Sequence, residues 1–167
     1  MQDNVLAFSD TDIEFFSDST PSPLRSLLLR ANGSEDNQAK TELLLQAVNR
    51  FSDNMDAHIA LYKFYFRTGQ WRKAEVAAIH ALKVSAANGG FDRNYRKLNV
   101  KSTDWLAENS AARFYLFTLK ALGVIRLRSE KVTAALWPLE KLKELDPYGE
   151  IGGLTFYDIA KSIIEED

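Results

Sequence analysis

The side chains of this sequence best able to do chemistry are few and far apart. His58 and His80 are its only histidines, 22 positions apart, and it has no cysteine. A metal site built on them would need carboxylates converging from elsewhere, and a thiolate site or a cysteine nucleophile has no residue to start from. No Ser-His-Asp order, phosphate-cradling glycine loop or HExxH spacing can be assembled. His80 flanks an alanine-rich run and reads as structural, and Glu165, Glu166 and Asp167 read as a solvated acidic tail. The chain is therefore expected to be no enzyme and to use no metal or cofactor.

A second group is suited to binding. Around Phe91, the residues Arg93, Tyr95, Arg96, Lys97 and Lys101 interleave aromatic rings with cations, as sites for single-stranded nucleic acid or for an anionic protein do. Four charges make a modest patch. The whole chain of 167 residues has 21 Lys plus Arg against 23 Asp plus Glu, so the broad positive field of a dedicated nucleic-acid binder is missing.

These residues need a scaffold, and the composition supplies one. A hydrophobic share of 46% and a charged share of 26% are globular values that exclude a disordered or collagen-like chain, and the length suits one domain. No stretch reaches eighteen apolar residues, and the first twenty hold five acids with no Lys or Arg, opposite to a secretory leader. A cytoplasmic protein with no membrane partner is expected.

The apolar spacing is helical almost throughout. Ser22-Pro23 opens a first helix ended by Asn32-Gly33, and a second runs over 36–50. A third, capped by Asp53 or Asp56, runs to Arg67, and a fourth covers 71–86 with small residues at Ala74, Ala77, Ala78 and Ala81. Residues 88–103 break the rhythm and read as a long loop or docked irregular segment. Ser102 or Thr103 then caps a long helix to about Arg128, apolar all round and so interior. A sixth helix spans 130–145, where Pro138 is expected to kink it at a cost of about 3 kcal/mol. The last begins at Thr155 with one stripe of Phe156, Ile159, Ala160 and Ile163. No run alternates like a strand.

Residues 58–86 resemble a tetratricopeptide repeat, a helix-turn-helix unit of about 34 residues. His58 takes the tryptophan place, followed by Leu61, Tyr62, Tyr65, the turn Gly69-Gln70-Trp71, then Ala74, Ala78 and Ala81-Leu82, with Ala86 where proline is usual. Residues 119–147 resemble it again through Leu119, Leu122-Gly123, Arg126, Ala135, Leu139 and Leu145-Asp146-Pro147. The two copies lie 61 residues apart rather than 34, so the excess falls in the 88–103 insertion. The first two helices resemble a third, degenerate copy. The resemblance implies an all-α fold of antiparallel helix pairs, stacked as a right-handed superhelix with a C-terminal cap helix, whose first helices line a concave groove for a peptide or a helix. Lys63, Phe66, Arg67, Phe117, Lys120, Val124 and Arg128 would face that groove. The asparagine and lysine arrangement by which some members clamp a terminal carboxylate is absent, so a terminal-carboxylate ligand is not expected. His58 then reads as a packing residue.

Residues 1–24 carry a charge of −5 and residues 25–167 one of +3. The acidic stretch also holds Val5, Leu6, Phe8, Ile13, Phe15 and Phe16, too apolar for a purely solvated tail. The organisation expected is an N-terminal extension over 1–20 and one helical domain over 21–167. The extension is expected to dock on a basic, apolar surface of its own chain or of a second copy. The functional expectation is a protein-protein interaction module, an adaptor or a small chaperone, for a protein or peptide partner with acidic and aromatic residues. Homodimerisation fits a short stack with apolar end faces. The rival reading is a regulatory nucleic-acid-associated factor using 91–101.

Overall fold

A computed structural model describes residues 20–166. Among them are seven α-helices and no strand: α1 (Ser22–Gly33), α2 (Asn37–Arg50), α3 (Met55–Arg67), α4 (Trp71–Gly89), α5 (Ala111–Arg128), α6 (Val132–Leu145) and α7 (Leu154–Glu166). Each helix packs on the next, giving antiparallel pairs joined by short turns, except where residues 90–110 connect α4 to α5. The odd-numbered helices also touch in succession, α1 on α3, α3 on α5 and α5 on α7. The acidic extension expected over 1–20 lies, but for Thr20, outside the described residues.

The helix starts follow capping chemistry. Asp36 accepts hydrogen bonds from the Gln38 and Ala39 amides, satisfying two donors that α2 would otherwise leave unpaired. At α3 the cap is Asn54, which accepts from Asp56 N–H; Asp53 and Asp56, the two expected caps, stand on either side of it. Pro21, not Ser22, precedes α1 and offers no side-chain cap, while Pro23 fits the first turn because its missing N–H has no helical partner there. Helix α6 is continuous through Pro138.

The largest departure from expectation is the start of α5. Ser110 caps it, accepting from Arg113 N–H at 3.0 Å, eight residues beyond Ser102. Trp105, though apolar, belongs to the connection. Its ring lies 5.0 Å from Phe91 and 5.8 Å from Tyr115, and its indole N–H donates to the Asn99 carbonyl. The connection is thus docked rather than free. Leu98 within it is buried, and buried Lys141 on α6 donates to the Leu98 carbonyl at 2.9 Å. Burial, seconded by Tyr95, pushes the Tyr115 hydroxyl up to about 12.

The turns between helices repeat. In Thr68-Gly69-Gln70 the three amides bond the carbonyls of Phe64, Phe66 and Tyr65, and in Ser129-Glu130-Lys131 they bond those of Ile125, Leu127 and Arg126. Each pair of positions is 61 residues apart. The Thr68 and Ser129 hydroxyls both donate to the carbonyl four residues back at 2.9 Å. Gly69 and Glu130 both take positive φ, 70° and 60°. Core positions obey the same offset: Ala74 and Ala135 are both fully buried, while Tyr62 with Ala78 becomes Gly123 with Leu139. Volume has been exchanged between the two helices of a hairpin, because a Cβ on Gly123 would collide with the Leu139 side chain.

Helix α5 is the interior helix its all-round apolarity requires. It is covered by α4 and α6 and touched by α3 and α7, and Leu116, Leu119, Leu122 and Ile125 lose all solvent exposure. Fully burying each such side chain contributes about 1.5 to 3 kcal/mol.

Candidate functional site: the wall of α3 and α5

The 61-residue offset places the expected partner-binding residues in register on two neighbouring helices. Along α3, Asp56, Ile59, Lys63 and Arg67 follow helical spacing and share one face. Their counterparts on α5 are Phe117, Lys120, Val124 and Arg128. Four rows of matched positions therefore run across the pair, and Phe66 lies one residue off that face.

The structure brings four of these residues, Phe66, Arg128, Phe117 and Lys120, into two clusters. At the C-terminal ends of α3 and α5, Trp71 meets Phe66 edge-on with centroids 5.4 Å apart, while the Arg128 guanidinium lies 5.6 Å from the same indole. Trp71, the first residue of α4, is thus shared by both wall helices. Further back along α5, Arg113 and Lys120 flank the Phe117 ring at 5.7 and 5.3 Å. Lys120 also donates to the Ile151 carbonyl at 2.9 Å, and Ile151 N–H is held in turn by the buried Asp146 carboxylate at 2.8 Å. The loop between α6 and α7 therefore sets the Lys120 position. Sequence reading missed Trp71 and Arg113 as wall residues; the four-residue step from Arg113 to Phe117 was the available signal.

Exposure differs sharply among the wall residues. Arg67 is exposed and Phe117, Lys120 and Arg128 are half-buried. Lys63 and Phe66 are each only 7% exposed and Val124 1%. Arg67 and Arg128 occupy the last turns of their helices, where the dipole favours a cation.

The basic segment 91–101 is arranged differently. Tyr95 stacks on Trp137 of α6 with centroids 4.1 Å apart and planes 25° from parallel. Arg96 lies 5.5 Å from the Tyr95 ring, and Arg126 lies 5.4 Å from Trp137. This ladder of cation, ring, ring and cation employs the Tyr95 face that a nucleobase would need. Lys97 pairs with Asp92 at 3.7 Å, both side chains well exposed, a pair worth about 0 to 1 kcal/mol. Arg93 and Lys101 are exposed.

The two histidines, on separate helices, come together with ring centroids 5.1 Å apart and planes tilted by 56°. His58 Nε2 lies 2.6 Å from the Ser52 carbonyl and donates to it. Burial, aided by the neighbouring His80 and opposed by the Ser52 bond, holds the His58 pKa below the ordinary histidine value. His58 is thus a packed neutral ring, and no group of three metal-ligating side chains occurs among the described residues. A polar cleft of about 220 Å³ opens between the start of α3 and residues Asn88, Asn109 and Phe114. Its Asn88 amide is spent on the Asp53 carbonyl at 2.6 Å.

No helix among the described residues is long and apolar enough to cross a membrane. No family model, curated protein or solved structure matches this chain.

Proposed function

We propose that this chain is a protein-protein interaction module, similar in construction to tetratricopeptide-repeat proteins, which holds an acidic, aromatic-containing peptide or helix along the α3 and α5 wall. It would act in the cytoplasm as an adaptor or as a small chaperone shielding an apolar client segment. The observation carrying this reading is the register of the two hairpins. The two turns share one backbone hydrogen-bond pattern, and the 61-residue offset puts Lys63 and Arg67 of α3 at the positions that Val124 and Arg128 hold on α5, with Phe117 and Lys120 along the same α5 face, which supports this reading. In such a site aromatic anchors dominate affinity, whereas cations set register and selectivity.

The reading is tested by binding an array of acidic, phenylalanine-containing peptides to the full chain and to Arg67→Glu/Arg128→Glu. These two positions are chosen because Phe66 is buried and Lys120 holds a loop, so replacing either would disturb the body. The double reversal should weaken binding at least tenfold at low salt with the helical content unchanged. Undiminished binding would place the partner site elsewhere.

A further inference from the structure

We propose that the wall has a resident occupant, residues 1–19 of the same chain, which an external partner must displace. The inference rests on the reading of the wall as a binding surface and names its first ligand.

The point of entry supports it. Thr20 is buried, and its hydroxyl donates to the carboxylate of Asp56 in the first turn of α3. Asp56 shares its helix face with Lys63, two turns on, and with Arg67. The chain therefore reaches its described body on the face that carries these cations.

Reach and charge agree. Nineteen residues extend at most about 65 Å, whereas the thirteen residues of α3 span about 20 Å. The segment can run the length of α3 and cross to α5. It contains Asp3, Asp10, Asp12, Glu14 and Asp18 with no Lys or Arg, interspersed with Phe8, Ile13, Phe15 and Phe16. The wall carries the complementary set in Lys63, Arg67, Lys120 and Arg128 beside the Phe117 ring.

Because a tethered ligand acts at an effective concentration near millimolar, a segment whose own dissociation constant is about 10 μM would lower the apparent affinity of any competitor by about 100-fold.

The absence of native cysteine allows a direct test on the full chain. Ser9→Cys carrying a nitroxide label should broaden the amide resonances of Lys63, Arg67 and Val124 and spare those of Val76 and Glu140 on α4 and α6. Unbroadened wall signals would overturn the inference. So would broadening seen only when label and observed nuclei are on different molecules, since the occupant would then be a second copy. In a second arm, free peptide 1–19 is titrated into the wild-type chain and into Asp10→Lys/Asp12→Lys/Glu14→Lys. The charge-reversed chain should bind it at least tenfold more tightly, because its own segment no longer competes. Equal affinity, or no binding to either, would refute the proposal. If the label spares the wall while array peptides still bind through Arg67 and Arg128, only this inference fails; if array binding also ignores those arginines, the proposed function fails with it.

Discussion

Glu130 holds a φ of 60° at the place where the matching turn has Gly69 at 70°. A side chain in the left-handed region costs roughly 1–2 kcal/mol through the clash of its Cβ with the following carbonyl. Glycine avoids that clash and loses more freedom on folding, which offsets part of the gain. Glu130 is exposed, so no packing is lost by removing it. Glu130→Gly is therefore expected to stabilise the protein by about 0.5–1 kcal/mol, read as a higher midpoint in urea. Gly69→Ala should shift the midpoint the opposite way by a similar amount. A lower midpoint for Glu130→Gly would mean that the glutamate side chain contributes a bond worth more than its strain.

At the scale of elements, α4, α5 and α6 are fastened by one polar knot. Arg126 donates through Nε to Glu75 at 2.8 Å and through Nη1 to the Ala134 carbonyl at 2.8 Å, while Lys131 reaches Glu75 at 2.6 Å. Burial pushes the Glu75 carboxyl pKa up, and the Lys131 and Arg126 bonds and charges outweigh it, leaving it below the ordinary value. The unfolded chain thus takes up the proton more readily than the folded one. The contribution is present in full above the ordinary carboxylate pKa of about 4.5 and is lost as pH falls through the folded value. Arg126→Met, which strands a half-buried carboxylate with one partner, is expected to cost about 2–4 kcal/mol at neutral pH. The penalty should shrink in acid, and a penalty independent of pH would assign it to lost packing on Trp137 instead.

The helices were legible in the sequence because turn residues and helical spacing mark them; Asp36, read as the first residue of the second helix, proves to be its cap. Within Asp53-Asn54-Met55-Asp56 three side chains compete for one capping place, and Asn54 takes it by accepting from the Asp56 amide. The start of α5 was hidden because Trp105 and Leu106 continue an apolar rhythm, although Trp105 is buried by docking on Phe91 and Tyr115. The wall was legible as helical positions, whereas the joining of Phe66 to Arg128 through Trp71, like the meeting of His58 and His80, depends on inter-helix register that one sequence does not display.

Across the whole molecule, stability is concentrated at the middle. Helix α5 has neighbours on four sides, while α7 buries only Ala160 among its own residues and α1 rests chiefly on α2. Backbone amides open locally where few apolar contacts hold them. Native-state hydrogen exchange is expected to show α5 near the global limit and α7 exchanging at least about 100-fold faster; uniform protection from α1 to α7 would show that the stack unfolds as one unit. The indoles follow the same distribution. Trp71 joins α3 to α5, Trp105 lies in the docked connection, and Trp137 sits under Tyr95, leaving α1, α2 and α7 without any. Intrinsic fluorescence is accordingly a gauge of the central hairpins alone: early fraying at either extremity passes without an optical signal, and melting followed by emission is later than melting followed by circular dichroism.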